Sequence, residues 1–321
     1  MQGIRRVGLF RTVPPVPVAG LFCFALFLLM PETVSDSVLR GIRVCLQSVL
    51  PALFPFAVLS ELLIGGGISE LLSPLLRRPL SLPPLRWLRF SPDGACAMLL
   101  GLLCGFPIGT RALLSLRRQG RITHRECQRL LFLSVNPSLA FLSGTVGASF
   151  FGDRRLGLLL YLSSLSAALL LCLFPFPIQK GELPPPTFTV RSAPPSARVF
   201  STAIRSAASS MATVCAFVVF FSVLTGCLSS LFSSLPTAIL SLLLSVVELT
   251  AGTASSAEIG GTCGLLLCGF SVGWSGLSMH LQMMSISAEL PYSMGRFFLF
   301  KLLQGVLCAC FLLLFSTFGG I

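Results

Sequence analysis

Six stretches of this chain are apolar for about the thickness of a bilayer: 13–30, 44–64, 130–151, 156–176, 209–232 and 297–318. A helix needs roughly 20 such residues to cross the hydrocarbon core. Hydrophobic residues make up 54% of the chain and charged ones only 11%, whereas a soluble domain carries about 25% charged residues. There is too little polar surface here to cover a water-soluble fold. The sequence therefore reads as an all-α, polytopic membrane protein.

The net charge of +12 invites a nucleic-acid reading. The charges, however, lie in short loops between apolar runs, as the positive-inside bias requires, and no basic groove interleaved with aromatics is present. No nucleic-acid partner is expected; the lipid bilayer is. Arg5, Arg6 and Arg11 put the N-terminus in the cytoplasm. The segment 16–30 lacks a small-residue cleavage site and reads as a retained first span, which leaves Glu32 and Asp36 outside. Arg77, Arg78, Arg86 and Arg89 then mark a cytoplasmic loop, and so do Arg111, Arg117, Arg118, Arg121, Arg125 and Arg129. The segment 94–109 between them has both ends on one side, so it enters and leaves by the same face. Gly94, Gly101, Gly105, Pro107 and Gly109 supply the freedom and the breaks for such a re-entrant turn.

One octet recurs. Leu102-Leu103-Cys104-Gly105-Phe106-Pro107-Ile108-Gly109 returns 164 residues later as Leu266-Leu267-Cys268-Gly269-Phe270-Ser271-Val272-Gly273. A second match, at an offset of 162, aligns Ile42-Arg43 through Ser48 and Ser60 with Ile204-Arg205 through Ser210 and Ser222. Internal repeats with broken apolar segments surround solute pathways in many transporters. The expectation is about six full spans plus two re-entrant hairpins in an inverted repeat. Its parts are an N-terminal span (1–35), a first repeat with an extra span (36–178), a proline-rich cytoplasmic linker (179–198) and a second repeat (199–321). No lysine or arginine occurs from 206 to 295, so the second hairpin is expected to dip from outside. Arg296 and Lys301 near the outer face sit awkwardly with that topology.

No catalytic set assembles. His124 and His280 are far apart, and no phosphate-binding glycine loop is present. The chain reads as a non-enzyme with no cofactor and no metal site; a coupling ion, sodium or proton, is left open. The twelve cysteines lack zinc-type spacing and read as small buried hydrophobes.

Polar groups at membrane depth are the informative ones, because burying them is costly unless they are paired or wet. Glu248 follows an apolar run and precedes Leu249-Thr250-Ala251-Gly252: it is either a hairpin-tip ligand or an interface carboxylate. Asn136 precedes Pro137, which must interrupt its helix. Either the unwound centre exposes carbonyls to a solute, or Asn136 or Ser138 satisfies the carbonyl that the proline frees. Gly144-Thr145-Val146-Gly147 fits close helix packing. Arg111 is either a gate residue for an anion or an interface anchor. His280, Gln282 and Glu289 read as an outer amphipathic segment.

Gly105-Phe106-Pro107-Ile108-Gly109, and then Gly120-Arg121-Ile122-Thr123-His124-Arg125-Glu126-Cys127-Gln128-Arg129-Leu130-Leu131, resemble the YlbJ-type sporulation integral membrane proteins. Those belong with nucleoside-recognition (gate) domain proteins, which are similar to concentrative nucleoside transporters. Asn136-Pro137-Ser138 and Glu248-Leu249-Thr250-Ala251-Gly252 resemble further blocks in order, although Val135 stands where the family has a first asparagine and Ser271 pairs with Pro107. The resemblance implies a gate-type transporter of a small polar or anionic solute, dipicolinic acid foremost, in the cell membrane or a membrane around the forespore. A homo-oligomer or other sporulation membrane proteins are the implied partners. A non-transporting scaffold or sensor and a nucleoside-type transporter are the competing readings. The candidate solute-binding residues are Gly105, Phe106, Pro107, Gly109, Asn136, Ser138, Glu248, Thr250, Gly269, Phe270 and Gly273.

Overall fold

The computed structural model describes residues 15–65, 67, 72, 75–76, 90–173, 196–288, 290 and 292–319. Every regular element among them is helical. The proline-rich stretch 179–195, Glu289 and the arginines at 5, 6, 11, 77, 78, 86 and 89 lie outside the described residues.

Helix α1 (Pro15–Leu29) meets α2 (Pro31–Val44) at a bend of 104°. Pro31 suits the first turn of α2, where its missing N–H costs nothing. Residues 31–43, expected as an external loop, are thus helical. Helix α2 runs on through a π-turn (Cys45–Val49) into α3 (Leu50–Gly65). There the Leu50 N–H reaches back five residues to Cys45 O, immediately before Pro51, which has no N–H to continue the ladder.

Next comes a hairpin, α4 (Pro92–Cys104) and α5 (Ile108–Arg118), turning at Gly105, Phe106 and Pro107. A broken helix follows: α6 (His124–Ser134), an unwound Val135–Ser138 stretch, and α7 (Phe141–Phe150), which is π-wound. Helix α8 (Arg154–Leu173) closes this series. Gly147 and Gly157 let α7 and α8 touch backbone to backbone: a Cβ on Gly147 would stand 2.9 Å from Gly157 Cα. That is the close packing expected of the 144–147 stretch.

The second series repeats the order. Helix α9 (Ser196–Leu231) is the long helix, and α10 (Thr237–Val247) and α11 (Leu249–Ile259) form a hairpin turning at Glu248. A broken helix, α12 (Gly261–Trp274) and α13 (Gly276–Ile286), is interrupted at Ser275, and α14 (Met294–Gly319) is the last helix. The two long helices cross closely, since a Cβ on Gly41 would lie 2.9 Å from Val219 Cα. The pieces at the offset of 162 sit on these two partners.

The octets do not mark equivalent places, and this corrects the expectation for Gly269, Phe270 and Gly273. The first octet turns the hairpin, but the second lies wholly inside α12. Gly269 and Gly273 are one helical turn apart and face α14. A Cβ would stand 2.7 Å from Ala309 Cα at Gly269, and 2.6 Å from Gly305 Cα at Gly273. They are small residues of the kind that let membrane helices approach, and the turn equivalent to Gly105–Pro107 is Glu248. Gly273→Val is therefore expected to cost about 1–3 kcal/mol through overpacking. Thermal unfolding of the detergent-purified variant checks this, and an unchanged midpoint would contradict the placement.

Among the described residues, four helical stretches are long and apolar enough to cross a membrane: Arg154–Leu173, Val199–Leu231, Gly261–Ile286 (with its interruption at Ser275) and Met294–Thr317. The bent pair Pro17–Leu29 and Pro31–Val49 makes a fifth candidate. The count differs from six because 44–64 carries the π-turn and prolines, and 130–151 is split at Val135–Ser138. Exposed apolar side chains such as Phe22, Leu29, Leu158 and Val306 make an outer surface that suits lipid.

Candidate functional site

All four breaks open onto one cavity of about 100 Å³. A single water needs roughly 10–15 Å³ of such space, so the cavity accommodates a small organic molecule. The first hairpin contributes Phe106 and Pro107, and the first broken helix contributes Pro137, Ser138 and Phe141. Glu248, Leu249 and Thr250 come from the second hairpin, and Ser275, Ser278, Met279 and Gln282 from the second broken helix. Val49, Leu53, Val214 and Val218 of the long helices add an apolar wall.

Each hairpin tip is seated on the break of its neighbouring broken helix. Gly105 adopts φ 76° and packs so tightly that a Cβ would be 2.6 Å from Ser138 N. The adjacent Phe106 N–H donates to Asn136 O at 3.0 Å. In the second half the glycine sits on the other partner: a Cβ on Gly276, at φ 73°, would meet Glu248 Cα at 2.9 Å. Ser275 takes φ 70° without being glycine, an uncommon conformation held here by its surroundings.

The polarity of the breaks sets the chemistry. The cavity residues stand at the beginnings of α5, α7, α11 and α13. Helix N-termini carry partial positive charge and unpaired N–H groups, so four of them on one space favour an anion. Glu248 is the acidic member of the lining. Its Oε2 accepts from Ala251 N–H at 2.7 Å, capping α11. It is enclosed by protein yet keeps accessible surface, because it faces the cavity. Gln282 donates to Ser278 Oγ at 3.2 Å.

Asn136 lies beside the cavity rather than in its wall. Its Nδ2 donates to Leu133 O at 2.6 Å, the carbonyl that Pro137 cannot reach. Its Oδ1 accepts from Gln304 Nε2 at 2.6 Å and from Ser164 Oγ at 3.3 Å. Of the two readings of Asn136, the structure shows the satisfied break. Lys301, expected near the outer face, is instead fully buried and donates to Val135 O at 2.7 Å and Gln304 Oε1 at 2.9 Å.

A wider vestibule of about 400 Å³ holds Glu61, Arg111, Arg118, Ser206 and Ser285. A small void lined by Glu61, Arg111 and Pro107 lies between it and the central cavity, which shares Pro107. At that constriction Arg111 and Glu61 pair at 4.0 Å, and Ser206 Oγ donates to Glu61 Oε1 at 2.7 Å.

Of the sequence candidates, Phe106, Pro107, Ser138, Glu248 and Thr250 line the cavity, and Gly105 and Asn136 shape its edge. Gly109 packs on Gly101, 3.0 Å from a Cβ built there, while Gly269, Phe270 and Gly273 belong to the α12–α14 contact. Gln282 and His280, read as an outer segment, are interior: Gln282 lines the cavity, and His280 is 1% exposed and lies 4.3 Å from the Trp274 ring. Ser275 and Ser278 were missed. The glycine directly after Ser275, in a helix otherwise without a break signal, was the only cue.

The basic loop that carries the family resemblance is structural. Thr123 Oγ1 caps α6 by accepting from Glu126 N–H at 3.2 Å. Glu126 Oε1 accepts from Ser91 N–H at 2.7 Å, and Arg121 pairs with Asp93 at 2.9 Å. Together they tie the base of the first hairpin to the first broken helix.

Fold and site define a polytopic all-α membrane protein whose hairpins and broken helices enclose a cavity. In sequence the chain is similar to "Sporulation integral membrane protein YlbJ" of Bacillus subtilis (strain 168), 28% identical over 336 aligned positions, 92% of this chain and 80% of that protein. This near full-length likeness supports the YlbJ-type family. No family model matches the chain, and no solved structure matches it.

Proposed function

We propose that this chain is a transporter of a small anionic solute, dipicolinate foremost, acting in a membrane around the developing spore. The observation that carries the reading is the convergence of four half-helix beginnings on one cavity. Interrupted helices of this kind hold substrates near mid-membrane, and a fold used only as a scaffold has no need of unwound backbone at depth. A flat dicarboxylate suits the setting: helix N-termini for its charges, and Phe106, Phe141 and Met279 for its ring. The sporulation context comes from the name of the Bacillus subtilis relative. Arginine placement orients the N-terminus to the cytoplasm. Solute enters through the vestibule, passes the Glu61–Arg111 constriction and leaves when one repeat rocks against the other.

The test is uptake of labelled dipicolinate into proteoliposomes. The reading expects saturable uptake that excess unlabelled dipicolinate blocks and nucleosides do not. Competition by nucleosides would favour the nucleoside-type reading, and absence of flux with folded protein would favour the scaffold.

The vestibule gives a second expectation. Arg111→Gln removes a cation from the entry route, so KM for an anion should rise several-fold. The rise should shrink in high salt, because screening over about 10 Å at 0.1 M weakens attraction along the approach. A salt-independent change would assign Arg111 to packing alone.

A further inference from the structure

Lys301 takes no part in the cavity, yet its side chain is fully buried inside the span Met294–Thr317. An ammonium at membrane depth is expensive and normally finds a compensating partner. Here Nζ donates to Val135 O at 2.7 Å and to Gln304 Oε1 at 2.9 Å. Both acceptors are neutral oxygens.

The position explains the choice. Val135 O lies just past the C-terminal end of α6, where helix carbonyls are unpaired and the dipole is negative. Asn136 Oδ1 and Ser164 Oγ are joined to the same group through Gln304 Nε2, at 2.6 and 3.3 Å. Backbone carbonyl, amide and hydroxyl oxygens at the C-terminal end of an unwound half-helix are the set with which transporters coordinate a coupling cation.

We propose that Lys301 is a built-in cation: its ammonium fills a monovalent-cation site at the first broken helix, so the break is held without an ion from solution. Lys301 belongs to the second series of helices and Val135 to the first, so the charge also ties the two together. This deepens the transport reading and rests on it for one consequence, that uptake does not require sodium. The site itself stands on the hydrogen-bond geometry alone.

Melting temperatures of the purified protein in sodium, potassium or choline chloride at equal ionic strength provide a test that involves no solute. The parent protein should melt at the same temperature in all three. Lys301→Ala leaves both the oxygens and the space, so it should melt lower in choline and regain several degrees, saturably, with sodium or methylammonium. Lys301→Met fills the space without charge and should show no such recovery. A parent protein stabilised specifically by sodium would overturn the proposal, and so would a Lys301→Ala variant indifferent to every cation. If Lys301→Ala does not fold, sodium dependence of the parent protein still decides. Failure of dipicolinate uptake would bear on the solute and leave this result untouched.

Discussion

Uptake by a Glu248→Gln variant is expected to fall by about tenfold or more, with a melting temperature close to that of the parent protein. The two effects separate because Glu248 has two jobs in two places. Its Oε2 accepts from Ala251 N–H at 2.7 Å, and a glutamine oxygen can do the same, so the cap on α11 survives. What is lost is a titratable group. An anionic solute can share the cavity with Glu248 only while that carboxyl is protonated, and the proton it then donates to the solute makes a hydrogen bond to a charged group. Such a bond contributes about 1.5–3 kcal/mol, or roughly a 10- to 100-fold effect. Glutamine can neither take up nor release that proton. Glu248→Ala should add a loss of stability of about 1 kcal/mol from the missing cap. Uptake by Glu248→Gln at the parent rate would reduce this carboxylate to a helix cap.

Gly105→Ala should produce the largest loss of folded protein. Gly105 has φ 76° and ψ −173°, a region reserved for glycine whose occupation by another residue costs about 1–3 kcal/mol. The new Cβ would also stand 2.6 Å from Ser138 N and 2.8 Å from Ser138 Cα, backbone atoms that cannot step aside. Overpacking adds about 1–3 kcal/mol. Gly144→Ala is the matched control, since nothing lies within 4 Å of a Cβ there. Expression and thermal unfolding of the two variants side by side give the answer, and equal stability would mean that the hairpin tip is not seated on the break.

The break at Asn136-Pro137 was legible because proline leaves a mark that no packing can hide, and the first hairpin because Gly105 and Pro107 stand together between basic flanks. Glu248 was legible as a carboxylate at a junction between apolar runs. The second octet misled for a physical reason: a glycine that frees the backbone and a glycine that admits a neighbouring helix look the same in sequence. Gly105 does the first, and Gly269 and Gly273 do the second. The break at Ser275 escaped because a serine at positive φ is imposed by tertiary contacts rather than by propensity. Lys301 escaped because the charge-placement rule reads lysines as loop anchors, whereas this one is held inside the protein by the Val135 carbonyl oxygen, 166 residues away in sequence.

The proposed transport route puts the solute in the cavity that joins the four breaks. Ser278→Cys, in a background with the exposed Cys263 and Cys310 replaced by serine, places a thiol in that cavity. Labelling of the reconstituted variant by a small membrane-impermeant thiol reagent, with and without dipicolinate, reports whether solute occupies the cavity. If solute binds there, the introduced thiol reacts and dipicolinate slows the reaction in a saturable way, whereas nucleosides do not. A thiol that reacts at the same rate at every dipicolinate concentration, or that never reacts from either face, would contradict it.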